Sequence, residues 1–256
     1  MRPLHKAILF ILITFAFSLV LTDDFGMFVP GATALALCLF FRDRFWGMFK
    51  PASLKTIVLS CLIPLLGFGL FVGFLMVFDL AILGVDEEAL KYNEGSTYLA
   101  LKRYFLYGFP TFLLINCGFA LGEEIGWRGY MLPRFQEMGL TFTKRALIVG
   151  LIWGLWHIPT YITLGIGLPM ILCFLLNVVI LSFFFTWAYE REQSIWGPTL
   201  IHGLHNALFN TFLPNITLAK NAPEILIDGE NGLLATAAYG LLMILLFRIK
   251  GPKKAL

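Results

Sequence analysis

The sequence predicts an all-α membrane protein, a polytopic bundle of about eight transmembrane helices. Of its 256 residues, 59% are hydrophobic and only 14% are charged, whereas an ordinary soluble domain is about 25% charged. The apolar residues fall into runs close to the length of about 20 residues that a helix needs to cross a bilayer. Lys and Arg are concentrated between alternate runs. This pattern excludes an ordinary soluble enzyme, a secreted disulfide scaffold and a disordered chain.

Eight apolar runs are candidate spans, at about 7–22, 26–41, 56–83, 109–132, 145–160, 168–189, 195–213 and 232–248. No small-residue cleavage site follows the first run, so we interpret it as a retained span and not as a signal peptide. The third is long enough to tilt or to bend at Pro64. Pro159 is expected to close the fifth, and Pro198 falls in the first turn of the seventh, where proline is tolerated. No internal repeat divides the chain, which predicts a single membrane domain over residues 1–256.

The distribution of basic residues predicts the orientation of these spans. If the N-terminus is inside, 14 of the 19 Lys and Arg residues lie in inner segments, four lie in outer segments, and Arg128 lies within a span. Cytoplasmic loops carry an excess of Lys and Arg, and an even number of spans returns the chain to its starting side. Both observations predict cytoplasmic N and C termini. The acidic residues of the outer loops, Glu230 among them, add little to this prediction.

Cysteine usage and net charge exclude further classes. The four cysteines lie in apolar runs without CxxC spacing, which favours buried small side chains over disulfides or structural zinc. They are Cys38, Cys61, Cys117 and Cys173. A net charge of +3, with no basic cluster between aromatic residues, predicts no nucleic-acid partner.

The fourth span carries three ionisable residues within six positions, Glu123, Glu124 and Arg128. Each charge at mid-bilayer costs about 2.5–3.5 kcal/mol on insertion scales, so such residues are expected to face a polar interior. Glu124 and Arg128 are i,i+4 neighbours that can form an ion pair, whereas Glu123 points about 100° away. The spacing therefore predicts one neutralised acid and one free acid. A purely structural ion-pair cluster is the alternative.

Three of the four histidines fall within two other spans. His157 lies in the fifth span, while His202 and Asn206 share one face of the seventh span, with His205 partly off that face. At 1.5 Å per residue, Glu123, His157 and His202 all lie about 15–18 Å from the inner boundary. We therefore expect the three spans to bring these groups together at one depth.

This set of side chains suits hydrolysis of an amide bond. A buried carboxylate can act as general base on water, assisted by a neutral histidine. A second histidine and an asparagine can donate to a developing oxyanion, so that no nucleophilic Ser or Cys is needed. The alternative is a zinc ion held by Glu123, His157 and His202, with water in the fourth position. We favour a site without a cofactor, with zinc as the alternative.

The order of these residues resembles the three motifs of the CPBP family, which comprises the CAAX-prenyl endopeptidases and the related bacteriocin-processing and immunity proteins. The resemblance covers about residues 105–212, and the eight-helix architecture of the family would cover nearly the whole chain. One position departs from the pattern, because Trp153 stands where Phe is usual. We expect Trp153 to have a packing role. The motif residues are Glu123-Glu124-x-x-x-Arg128, Trp153-x-x-x-His157 and His202-x-x-x-Asn206.

The resemblance implies an intramembrane endopeptidase whose active site opens towards the cytoplasm. In that family's arrangement, Glu123 and His157 would activate water, and His202 and Asn206 would hold the oxyanion. Glu124, paired with Arg128, would support the helix.

The substrate is therefore expected to be a peptide or a membrane protein within the lipid bilayer: a small pro-peptide, a bacteriocin or a membrane-protein tail. Two other functions remain open: a non-catalytic bacteriocin-immunity or scaffold protein, and a proton-coupled transporter with a relay through Glu123 and His157. The compact chain with its short loops favours a prokaryotic plasma membrane.

Overall fold

The computed structural model describes residues 1–21, 24–85, 90–212, 217–219 and 222–249. Helices dominate this part of the chain. The α-helices are α1 (Pro3–Ser18), α2 (Val29–Phe41), α3 (Leu54–Val77), α4 (Thr97–Arg103), α5 (Phe109–Glu124), α6 (Leu132–Glu137), α7 (Phe142–Thr163), α8 (Leu168–Glu192), α9 (Trp196–Asn206), α10 (Glu224–Ile227) and α11 (Leu233–Ile249). The π-helical segments are Tyr104–Gly108, Ile125–Met131 and Ala207–Phe212, and the 3₁₀ turns are Asp24–Phe28, Trp46–Phe49 and Gly229–Asn231.

Several helices are suited to a bilayer, which confirms an integral membrane protein of helical class. Within the described residues, four helical stretches are long and apolar enough to cross a membrane: Leu54–Val77, Thr97–Glu137, Phe142–Thr163 and Leu168–Glu192. Shorter apolar helices are Pro3–Ser18, Phe25–Phe41 and Leu233–Phe247. The count of eight spans and the cytoplasmic termini stay predictions. Residues 22 and 213, predicted span ends, lie outside the described residues, as do Lys220 and everything after residue 249.

The prediction that the third span runs to residue 83 was wrong. Helix α3 ends at Val77, where Asp79 adopts a left-handed φ of 53° and the Leu80 N–H turns back to the Leu75 carbonyl at 2.9 Å. The chain then forms strand β1 (Ala81–Leu83), which pairs antiparallel with β2 (Thr217–Ala219). The β-branched and apolar residues after the helix had suggested continuation, but the backbone reverses at Asp79.

The fourth and fifth spans also differ from their predicted bounds. Residues 109–132 are the middle of a 41-residue helical stretch, Thr97–Glu137. At 1.5 Å per residue this stretch is about 60 Å long, which exceeds the hydrocarbon core of about 30 Å. Pro159 does not close α7, which continues to Thr163. A helix that continues loses one N–H at proline, whereas a helix that stopped in a bilayer would expose several unpaired backbone groups.

Helix α9 lies inside the bundle, packed against α5, α3 and α8. Close approach of α9 to α5 depends on Gly203, because a Cβ there would lie 2.7 Å from the Cα of Cys117. Helices α7 and α8 approach in the same way at Gly150, where a Cβ would lie 3.0 Å from the Cα of Val179. Small residues at helix crossings are the usual means of close packing in membranes. These two crossings bring α5, α7, α8 and α9 together.

Ion pairs join the helix ends that are predicted to be cytoplasmic. The Asp43 carboxylate accepts from Lys6 of α1 and from Arg134 of α6, each at 2.6 Å. Burial raises the pKa of Asp43, but its two cationic partners lower it more, so that this pKa lies below its usual value. Arg145 and Glu190 join α7 to α8 at 2.6 Å.

The four cysteines are free. Cys38 and Cys173 are buried as expected, whereas Cys61 and Cys117 are partly exposed.

Candidate active site

A buried ion pair stands at the end of α5. Arg128 Nη1 donates to Glu124 Oε1 at 2.9 Å, and neither side chain is exposed. Nη2 of Arg128 donates to Ser182 Oγ at 3.1 Å, and that hydroxyl donates to the Ala146 carbonyl at 2.9 Å. The guanidinium also lies 4.8 Å from the centre of the Trp153 ring. The i,i+4 pair that the spacing predicts is therefore present, and it ties α5 to α7 and α8.

The same carboxylate holds His202. Nδ1 of His202 lies 2.9 Å from Glu124 Oε1, and its side chain is 3% exposed. Because an ionised carboxylate can only accept, this nitrogen carries a proton, and Nε2 is the nitrogen left for other partners. The imidazole stacks on Phe185 at 5.3 Å and meets Trp153 edge-on at 5.1 Å. Both its hydrogen bond and its packing fix the ring.

Glu123 has a different environment from its neighbour. Its side chain is buried, and Oε2 accepts from the indole N–H of Trp153 at 2.6 Å. Unlike Glu124, it forms no ion pair with the described residues. The expectation that Trp153 only packs is therefore incomplete, because its indole also donates to a site carboxylate, which a phenylalanine could not do.

His157 is half-buried on α7, beside the same tryptophan. Nδ1 of His157 lies 2.9 Å from the carbonyl oxygen of Trp153. A carbonyl only accepts, so the proton lies on Nδ1 and the neutral ring keeps its lone pair on Nε2. Trp156 and Phe174 pack against this ring at 4.6 and 5.3 Å.

The structure thus joins the three sequence motifs in one cluster. Glu124 contacts His202 directly, and Trp153 links Glu123 to the helix that carries His157. Asn206 is the last residue of α9, one turn after His202, and is half-buried.

The comparison with known families agrees with this arrangement. Residues 105–208 match the family model described as type II CAAX prenyl endopeptidase Rce1-like. This region is similar to the Rce1-like family. All three motifs lie inside the matched residues, so the resemblance noted from the sequence is confirmed and the family is one of membrane endopeptidases. No curated protein gives a significant match to the chain.

Two helices of the Rce1-like region change to π-helical geometry directly after their motif residues. One π segment, Ile125–Met131, follows Glu124, and another, Ala207–Phe212, follows Asn206. π-helical turns are rare and occur frequently at functional sites. The first segment contains Arg128, whose guanidinium contacts both Glu124 and Ser182 of α8.

Sequence reasoning missed a second polar cluster beside the Rce1-like motifs. His205 is 1% exposed; its Nδ1 lies 2.9 Å from the Tyr239 hydroxyl and its Nε2 lies 3.3 Å from Glu230 Oε2. The sequence had placed Glu230 in an outer acidic loop without a further role. The one feature of the sequence that pointed to this cluster was His205, which lies within the motif His202-x-x-x-Asn206.

The same side chains include the three predicted zinc ligands, Glu123, His157 and His202. Across the described parts of the chain, no three His, Cys, Asp or Glu side chains are arranged to hold a metal ion. In the predicted ligand set, Glu123 Oε2 already accepts from an indole, and Nδ1 of His202 is bonded to Glu124. These two bonds use one atom of each side chain and leave Glu123 Oε1 and Nε2 of His202 for other partners, so zinc stays the alternative to a site without a cofactor.

Proposed function

We propose that the chain is an intramembrane endopeptidase that hydrolyses a peptide bond near the cytoplasmic side of the membrane, with water activated by Glu123. The observation that carries the proposal is the contrast between two adjacent glutamates. Glu124 is neutralised by Arg128 and bonded to His202, whereas the described residues supply Glu123 with an indole donor alone. A buried carboxylate that forms no ion pair with the described residues is suited to take a proton from water.

In the proposed reaction, Glu123 removes a proton from water as the water oxygen attacks the peptide carbonyl. His157 assists, since its Nδ1 proton is directed to a backbone carbonyl and Nε2 can accept from the same water. The negative charge that develops on the carbonyl oxygen is stabilised by donation from the Asn206 amide and from His202. Donation from Nε2 of His202 requires its imidazolium form, because Nδ1 donates to Glu124. The protonated Glu123 then passes its proton to the leaving amine, and the C–N bond breaks.

The Glu124–Arg128 pair has a supporting role in this proposal. It places an acceptor for His202 inside the bundle, while Ser182 and the Trp153 ring hold the guanidinium. The pair therefore fixes the oxyanion donor relative to α5, which carries the general base.

The proposed substrate is a small pro-peptide, a bacteriocin or a membrane-protein tail, prenylated or not, and we propose that cleavage needs no cofactor. Zinc held by Glu123, His157 and His202 is the alternative that metal analysis tests. The proposed location is a prokaryotic plasma membrane.

Comparative proteomics of membranes that contain the wild-type chain or Glu123→Gln tests the function and finds the substrate together. The expected result is accumulation of an uncleaved precursor in Glu123→Gln and not in the control Glu137→Gln, which removes an exposed carboxylate of α6. Identical proteomes at equal amounts of inserted protein would contradict the proposal. An immunity phenotype that survives Glu123→Gln would favour the non-catalytic function, and a Glu123-dependent proton flux in liposomes would favour the transporter.

A further inference from the structure

A short turn outside the Rce1-like region brings an acidic side chain to the active site. Glu230 lies in the 3₁₀ turn Gly229–Asn231, between α10 and α11. Asn177 of α8 donates to the Glu230 carbonyl at 3.1 Å, and Tyr161 of α7 donates to the Asn231 side chain at 2.8 Å. Tyr161 is one helical turn after His157. The turn is therefore attached to the two helices that carry His157 and the Arg128 partner Ser182.

The Glu230 carboxylate ends a chain of hydrogen bonds through α9. Oε2 accepts from Nε2 of His205 at 3.3 Å, so this nitrogen carries a proton. In the neutral ring Nδ1 then accepts from the Tyr239 hydroxyl at 2.9 Å. Three elements, the turn, α9 and α11, are joined in this way through one buried imidazole.

The environment of Glu230 favours its ionised form. Burial raises the pKa of Glu230, but the hydrogen bond from His205 and the neighbouring imidazoles lower it more, so that this pKa lies below its usual value. The carboxylate is therefore ionised at neutral pH and acts only as an acceptor for His205.

We propose that Glu230 is a positioning residue of the active site, which fixes the orientation of α9 through His205 and thereby places His202 and Asn206. This inference rests on the proposed function, because it concerns the donors of the proposed oxyanion site. Helix α9 has 11 residues, and His205 lies between the other two on it. Glu124 holds this helix from one side through His202, and Glu230 with Tyr239 holds it from another through His205.

The geometry of α9 gives the expected loss of activity when the helix rotates. A rotation of α9 by about 12° moves a group about 5 Å from the helix axis by about 1 Å. A misplacement of about 1 Å can cost a catalytic step about 100-fold. Among the described residues no hydrogen bond fixes the Asn206 side chain, so its position depends on the orientation of the helix.

The test is a kinetic comparison of Glu230→Gln with the matched control Glu224→Gln, which removes an exposed carboxylate from the same connecting segment. The full-length chain in liposomes is assayed with an internally quenched farnesylated CAAX peptide or, if this peptide is not cleaved, with the precursor that accumulates in Glu123→Gln membranes. Glu230→Gln is expected to lower kcat about 10- to 100-fold with KM within about twofold, because only transition-state contacts are lost. Glu224→Gln is expected to match wild type.

A double-variant cycle shows whether Glu230 acts through His205. His205→Gln is expected to lower kcat to a similar extent, and Glu230→Gln/His205→Gln no further. Thermal unfolding of each variant, and of Tyr239→Phe, checks that the chain folds, and hydrogen exchange in α9 is expected to be faster in Glu230→Gln than in Glu224→Gln.

A wild-type kcat in Glu230→Gln, or strictly additive effects in the cycle, would overturn the positioning inference. Glu123→Gln in the same assay separates the two levels of the proposal. If Glu123→Gln is inactive and Glu230→Gln is normal, only the inference on Glu230 fails. If Glu123→Gln is fully active, the proposed function fails.

Discussion

Removal of one partner from the buried Glu124–Arg128 pair is expected to destabilise the protein far more than removal of both. Neither side chain is exposed, so Arg128→Met leaves a buried carboxylate that, among the described residues, is still bonded only to His202. Loss of one partner from a buried pair costs about 3–5 kcal/mol, since it leaves an uncompensated charge. In Glu124→Gln the unpaired charge is the guanidinium, with Ser182 as its remaining hydrogen-bond partner.

The double variant Glu124→Leu/Arg128→Met removes both charges. It leaves the Nδ1 proton of His202 without its acceptor, which costs about 1–3 kcal/mol for a buried unsatisfied group. The double variant is therefore expected to be about 2 kcal/mol more stable than either single variant. It is nevertheless expected to be inactive, because His202 has lost its acceptor Glu124. Equilibrium unfolding in detergent or lipid measures the free energy of unfolding of the two single variants and the double variant relative to wild type. Peptide cleavage measures their activity. Single variants within about 1 kcal/mol of wild type, or a double variant whose loss equals the sum of the single losses, would refute this reasoning.

Three further outcomes follow from the structure. Gly203→Ala is expected to lower the free energy of unfolding by about 1–3 kcal/mol, because the added methyl overpacks the crossing of α9 with α5. Gly118→Ala, where a Cβ meets open space, should leave the unfolding midpoint unchanged. Equal midpoints in the two variants would contradict the close approach of α9 to α5. The stability that ionised Asp43 contributes is present above its ordinary pKa of 3.8 and is lost as pH falls through its lowered value, so the unfolding midpoint of Asp43→Asn should lie below wild type at pH 7 and converge with it in acid. The expected difference is about 1 kcal/mol because the carboxylate is partly exposed, and a difference that persists in acid would argue against the ion pair as its cause. A chelator is expected to leave cleavage unchanged, and elemental analysis to find no stoichiometric zinc; zinc at one per chain, with loss of cleavage on its removal, would favour the metal alternative.

The sequence was sufficient for the helical membrane class and for the residues that the structure brings together in the candidate site. Charged residues are so scarce that Glu123, Glu124 and Arg128 were conspicuous inside an apolar run, and i,i+4 geometry alone predicted the Glu124–Arg128 pair that the structure contains. The histidines of the other two spans were found because polar side chains are equally conspicuous inside apolar runs. Local periodicity and depth were enough because each motif lies on a single helix.

Contacts between distant segments could not be predicted in this way. The turn that carries Glu230 returns to α9 because Asn177 binds the Glu230 carbonyl and Tyr161 binds the Asn231 side chain. The local sequence of residues 224–232 does not indicate these partners. The reversal at Asp79 and the ribbon with Thr217–Ala219 are also long-range. The indole bond of Trp153 to Glu123 depends on the crossing of two helices, so residue type alone suggested only packing.

The central claim is that Glu123 is the general base of a membrane peptidase. Its most direct test is the kcat of purified Glu123→Gln in liposomes on the precursor found by proteomics, measured beside wild type and Glu137→Gln. A general base contributes about 10²- to 10⁴-fold, so the account predicts a loss of at least about 100-fold with an unchanged unfolding midpoint and with Glu137→Gln fully active. A Glu123→Gln chain that cleaves within about threefold of the wild-type rate would contradict it.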